Sequence, residues 1–149
     1  MTICTRDRIC ELGHVKEDRV ILTSIGRLVE EAWRWLSSHH DYVELDDFVI
    51  MPNHLHGIII LNEARRGGSR TAPTDNIKTK PLGRLIGAFK TRSTKRINEI
   101  RKTPGVIFWQ RSYHDHIIRD DADLHRIRTY MANNPLQWAL DEENPNHAV

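Results

Sequence analysis

Two histidines separated by one leucine, His54-Leu55-His56, open a run of three isoleucines in MPNHLHGIII. In an extended strand successive side chains alternate faces, so His54 and His56 point one way and Leu55 the other. Two imidazoles on a solvent-facing side, anchored through an apolar residue on the reverse, are half of a metal site. The bland alternative is a pair of surface or hydrogen-bonded core histidines. A second H-x-H lies in SYHDHIIR, but there the intervening residue is Asp115, on the face of Tyr113 and Ile117. A pair backed by a carboxylate is less easily seated against a core. His54 and His56 are therefore taken as metal ligands, and His116 as a substrate contact or a residue just behind the ligands.

A metal that works on phosphates needs a further protein ligand and open positions for substrate oxygen. The stretch DADLHRIRTYMANN supplies a candidate. Wound as a helix at about 100° per residue, it places Leu124, Ile127 and Met131 in one apolar stripe. Tyr130 and Asn134 fall together on its flank, one turn apart. An ordinary packing tyrosine and a helix-ending asparagine before Pro135 would look the same. The phosphate itself has a candidate partner. Between Lys78 and Lys102 stand nine lysines and arginines against the single acid Glu99. That is the electrostatic footprint of a phosphate-holding surface, and Lys90, Arg92, Lys95 and Arg96 are its central residues. A solvated helix face would mix the two signs.

These residues must be positioned by regular elements. MTICTRDRIC begins a short strand, followed by a loop through ELGHVKEDR. TSIGRLVEEAWRWLSSHH has the apolar spacing of a helix, with Thr23 or Ser24 as N-cap. YVELDDFVI and HLHGIIIL read as strands joined by the turn MPN. Residues 63–81, rich in Gly, Pro and polar side chains, read as a flexible loop. LGRLIGAFKTRSTKRINEI is a second helix, whose stripe of Leu82, Leu85, Ile86, Phe89 and Ile97 includes the small Ser93. VIFWQ, extended by SYHDHII, provides a fourth strand. A third helix opens at Asp121 or Asp123 and closes before Pro135. The resulting order is βαββαβ plus a C-terminal helix carrying the tyrosine. This is an α+β, ferredoxin-like antiparallel sheet with helices on one face. Residues 139–149 read as a flexible tail.

At 149 residues the chain is one domain, and its net charge of +2 would not by itself suggest a nucleic acid. Cys4 and Cys10 have neither zinc-knuckle spacing nor a disulfide framework. No apolar run is long enough to span a bilayer, so the expected setting is the cytoplasm, at the nucleoid.

The combination resembles the single-tyrosine HUH transposases, and most closely their REP-associated tyrosine transposase group. His54, Leu55 and His56 match the motif of histidine, bulky hydrophobe, histidine, while Tyr130 and Asn134 in RTYMANNPLQW match the catalytic tyrosine and the amide ligand four residues on. LGRLIGAFKTRSTKRIN and FWQRSYHDHIIR also look like blocks of that group, and the likeness covers about residues 1–138. The resemblance implies a metal site of His54, His56 and Asn134 carrying Mg²⁺ or Mn²⁺. Tyr130 would attack a single-stranded DNA to give a 5′-phosphotyrosine link, and a later attack by a 3′-hydroxyl would rejoin strands. It further implies a hairpin-bearing substrate and a homodimer; the DNA contacts are expected from the basic helix, Arg111 and His116. Trp109 could stack on an unpaired base, with core packing as its other role. Three rival readings are a domesticated repeat-binding module that has lost cleavage, an RNA-recognition domain, which would need aromatics on its sheet face, and an H-x-H metallohydrolase that forms no protein–DNA adduct.

Overall fold

The computed structural model describes residues 1–62 and 82–147, so the expected loop at 63–81 and the cations Lys78 and Lys80 lie outside the described residues. The elements are β1 (Thr2–Cys4), β2 (Gly13–Lys16), β3 (Arg19–Leu22), α1 (Ser24–His39), β4 (Val43–Ile50), β5 (His54–Leu61), α2 (Leu82–Arg101) and α3 (Asp121–Gln137). The main sheet is antiparallel with order β1-β5-β4. Its register places Thr2 opposite His56 and Cys4 opposite His54.

The expected fourth strand takes a looser form. Residues 108–114 run antiparallel beside β1, with the Arg6 N–H donating to the Phe108 carbonyl (2.8 Å) and the Gln110 N–H to the Cys4 carbonyl (2.9 Å). Thr2 and His114 exchange two further bonds of 2.7 and 3.0 Å. Only isolated bridges result, Thr5 to Trp109 and Thr2 to His114, so this edge completes the ferredoxin-like order without a continuous ladder. The Lys90 ammonium holds it from α2, donating to the carbonyls of Gln110 (2.7 Å), Ser112 (3.2 Å) and Arg111 (3.3 Å).

Three sequence expectations are corrected. The presumed loop after β1 contains the β2–β3 hairpin, whose turn residues Glu17 and Asp18 both have positive φ (50° and 60°). A primed turn closes that ribbon with the right twist, and without the usual glycine its signal was hidden. Asp120, rather than Asp121 or Asp123, caps α3, its side chain accepting from the Asp123 N–H. The helix also runs through Pro135 to Gln137. At that position proline removes a single hydrogen bond in the last turn, which the helix tolerates better than one in its middle.

The core lies between α1, α2 and one sheet face. Trp33 and Phe89 meet edge to face with centroids 5.4 Å apart, and Leu55 is fully buried with them. Trp33 also packs on Gly57, where an added Cβ would lie 2.4 Å from its ring. Trp109 belongs to this core, its indole N–H donating to Ser93 Oγ at 2.9 Å. Alternation then turns His54 and His56 to the opposite face, which α3 covers. The two helices of the ferredoxin-like unit, α1 and α2, thus share one face as expected, and the additional helix α3 covers the other. Among the described residues, no helix is long and apolar enough to cross a membrane.

Candidate functional site: a histidine pair, an orphaned amide and a tyrosine

The β5–β1 pairing and the docking of α3 build the site. His54 is fully buried and His56 nearly so, so the strand face read as solvent-facing is covered. Their Nε2 atoms face each other at 3.0 Å. Each ring is held from behind. Asn53 donates its Nδ2 hydrogens to the carbonyls of Arg8 (3.1 Å) and Glu143 (2.6 Å). Its Oδ1 therefore accepts from His54 Nδ1 at 2.8 Å, which puts the proton on Nδ1 and leaves Nε2 a bare lone pair. Thr2 Oγ1 lies 2.7 Å from His56 Nδ1. A hydroxyl serves as donor or acceptor, so His56 can also present a free Nε2 lone pair.

From α3, Asn134 enters the same space, 2% exposed, and its Oδ1 has no hydrogen-bond partner among the described residues. A buried, unpaired carbonyl oxygen is costly unless something electropositive meets it. The Tyr130 ring stands against His56, centroids 5.4 Å apart, with the residue 49% exposed. His56, Tyr130 and Asn134 line one cavity of about 580 Å³, together with Thr2, His114, Gln137, Leu140 and the acids Asp141, Glu142 and Glu143. Residues 138–147 fold back to form that acidic wall. Glu143 pairs with Arg8 at 3.1 Å, and Asn144 Nδ2 donates to the Trp138 carbonyl at 2.9 Å.

Burial pushes both imidazoles well below their usual pKa, and the neighbouring His54 ring pushes His56 further. Both are neutral at pH 7, the state in which imidazole binds metals. Burial raises the Tyr130 pKa and the Asp141 charge raises it further, while the Asn134 side chain acts the other way.

The remaining sequence candidates lie away from this cavity. Arg96 pairs with Glu31 at 2.5 Å, and the Arg92 guanidinium sits 4.7 Å over the Trp35 ring. Lys90 is engaged with backbone carbonyls, as described above. Lys95 and Arg111 line a separate groove of about 890 Å³, walled by α2 and residues 104–111. The basic helix thus lies across the sheet from the histidines. His116 pairs with Asp123 at 2.7 Å and lines another cavity; from its H-x-H, it is His114 that reaches the site. Sequence reasoning missed Thr2, Asn53, His114 and the acidic wall. Asn53 adjoins the histidines, but MPN reads locally as a turn, and only a partner 90 residues away reveals its task.

No protein-family model matches the chain. A structure of a REP-associated tyrosine transposase bound to a REP hairpin has a similar fold, with a TM-score of 0.65, 19% identity, and coverage of 95% of this chain and 67% of that one. An uncharacterized protein of Haemophilus influenzae (strain ATCC 51907 / DSM 11121 / KW20 / Rd) is 33% identical over 147 residues, 95% of this chain and 82% of the relative. The chain belongs to the family of that Haemophilus influenzae protein.

Proposed function

We propose that the protein is a metal-dependent, transposase-like single-strand DNA endonuclease and strand transferase, acting through a 5′-phosphotyrosine intermediate on hairpin-bearing DNA. The observation that carries this reading is one cavity lined by His56, the orphaned Asn134 oxygen and the Tyr130 phenol, with His54 Nε2 beside His56. The fold shared with a transposase bound to a hairpin supports it.

The donor set suits a divalent cation. Among the described residues no three His, Cys, Asp or Glu side chains gather to hold one, so a third protein ligand has to be of another type, and the Asn134 amide oxygen would supply it. His54, His56 and Asn134 would hold Mg²⁺ or Mn²⁺, which when bound supplies Lewis-acid polarisation of the scissile phosphate. Asn53 and Thr2 orient the two rings behind it, as outer partners of metal ligands do. The Tyr130 phenol oxygen forms a bond to phosphorus while the bond from phosphorus to the 3′-oxygen breaks. The phenol proton leaves to water through the open mouth, and the departing 3′-oxygen takes a proton from solvent. Attack by a 3′-hydroxyl on the phosphotyrosine reverses these bonds and joins strands without ATP, since one phosphodiester replaces another.

The test is incubation with single-stranded hairpin DNA and Mn²⁺ or Mg²⁺, followed by a denaturing gel. A protein–DNA adduct that disappears in Tyr130→Phe is expected. Tight DNA binding with no adduct under any metal would instead identify a non-catalytic binding module, and turnover without an adduct a metallohydrolase.

A further inference from the structure

The site cavity is larger than a phosphate requires. Its volume of about 580 Å³ falls in the range, roughly 300–1,000 Å³, of pockets that enclose whole small organic groups. His56, Tyr130 and Asn134 supply the phosphate-handling groups. The last turn of α3 and the segment after it build a further wall of different chemistry from Gln137, Leu140, Asp141 and Glu142. Leu140 is 76% exposed, which leaves aliphatic surface uncovered in the wall of the cavity that holds the reactive groups. Among the described residues the Glu142 side chain makes no hydrogen bond or ion pair, whereas Glu143 is tied to Arg8 and one Asp141 oxygen takes the Glu143 N–H. The Asn134 oxygen, 2% exposed and unpartnered, lines the same cavity, a second sign that the space is built for a ligand.

A wall of carboxylates repels a phosphodiester backbone, so the backbone is not what fills this end. A nucleobase is neutral, has two flat apolar faces, and carries hydrogen-bond groups along its edge. We propose that this end of the cavity is a base pocket, in which the base next to the scissile phosphate lies on Leu140 and gives its exocyclic amine to the Glu142 and Asp141 carboxylates. The inference rests on the DNA-cleaving reading above and adds to it a specificity built into the protein. Carboxylates only accept hydrogen bonds, and protein carboxylates read cytosine through its amino group. Adenine, cytosine and guanine all carry such an amine. Thymine has none, and its one edge donor, N3–H, lies between two carbonyl oxygens that the acids repel, so it is the base rejected. The Gln137 amide, which both donates and accepts, adds a contact without reversing that preference.

The experiment uses the full chain with Mn²⁺ and a hairpin oligonucleotide whose single-stranded flank is randomised. Covalent adducts are isolated and sequenced around the phosphotyrosine junction. Thymine should be depleted about tenfold at one of the two positions flanking the junction. Glu142→Gln, a change on an exposed side chain, should abolish that depletion by adding a donor, and Leu140→Ala should reduce adduct yield for every base. Adducts formed with no base bias, or with a bias unchanged in Glu142→Gln, overturn the pocket while leaving the cleavage reading intact. A wild type that forms no adduct on any sequence overturns the cleavage reading. Fluorescence polarisation then decides the pocket on its own, with oligo-dC expected to bind several-fold more tightly than oligo-dT, and equal affinities ruling the pocket out.

Discussion

Asn53 links three parts of the chain through one amide group. Its nitrogen spans the carbonyls of Arg8 and Glu143, and its oxygen sets the His54 tautomer. Removing it leaves two carbonyls unpaired in a partly buried spot and frees the ring to rotate. Asn53→Ala should lower stability by about 1–3 kcal/mol and weaken Mn²⁺ binding roughly 10–100-fold, the usual effect of losing a ligand's outer partner. Calorimetry reading unchanged Mn²⁺ affinity in a folded Asn53→Ala would show that the histidines are not oriented this way. Tyr130 differs in kind. It is half-exposed, so Tyr130→Phe should unfold at the parent's denaturant midpoint and bind DNA and metal as before, yet form no adduct. Tyr42→Phe and Tyr113→Phe are the controls, and an adduct mapped to Tyr113 would reassign the nucleophile.

At the scale of elements, the sheet and α3 are fastened by charge as well as by packing. Arg128 on α3 grips Asp46 on β4 through Nε at 2.9 Å and through its terminal nitrogen at 2.5 Å. That hydrogen bond, more than the charge, holds the Asp46 carboxyl below its usual pKa of 3.8. A carboxyl depressed on folding contributes stability that is present above the unfolded pKa and lost as pH falls through the folded one. Asp46→Asn should therefore be less stable than the parent at pH 7, and the gap should close as pH drops below 3.8. Denaturation midpoints that stay equally separated from pH 7 to pH 3 would remove the ion pair from the account. On the opposite face, Gly57 admits Trp33 to the strand. Gly57→Ala places a methyl 2.4 Å from that fully buried indole and should cost roughly 1–3 kcal/mol in urea denaturation.

For the whole molecule, the two candidate surfaces lie on opposite sides of the sheet. The basic helix packs with α1, while the histidines face α3. Residues 104–111 wall the groove of Lys95 and Arg111, so a strand that engages both surfaces would pass around that edge. Lys90 donates to the carbonyls of that edge and Arg96 pairs with Glu31, which leaves Arg92, Lys95 and Arg111 among the described candidate cations for phosphates. Three contacts at about −0.7 each predict a log–log salt slope of roughly −2 for a long single strand. The triple variant Arg92→Gln, Lys95→Gln, Arg111→Gln should flatten it. An oligonucleotide too short to round the edge should show little slope in either protein. Equal slopes for short and long strands would place all phosphate contacts at the cavity.

The three helices, the pairing of β4 with β5 and the shared face of His54 and His56 were legible in the chain alone, because each follows from a period of two or 3.6 residues and local capping chemistry. The Tyr130–Asn134 edge came from the same helical period, strengthened by a resemblance at both motifs. The β2–β3 hairpin was hidden because Glu17 and Asp18 take the left-handed region without a glycine to advertise it. Tertiary structure alone decided that the histidine face is buried, that Thr2 and Asn53 hold the rings, and that the acidic residues 141–143 wall the cavity. It also decided that Lys90 bonds to the backbone carbonyls of residues 110–112, a contact that the local run of positive charge could not reveal. Apart from the bond between the adjacent Asn53 and His54, these are contacts between residues 20 to 90 positions apart, and local periodicity carries no information about which distant groups will meet.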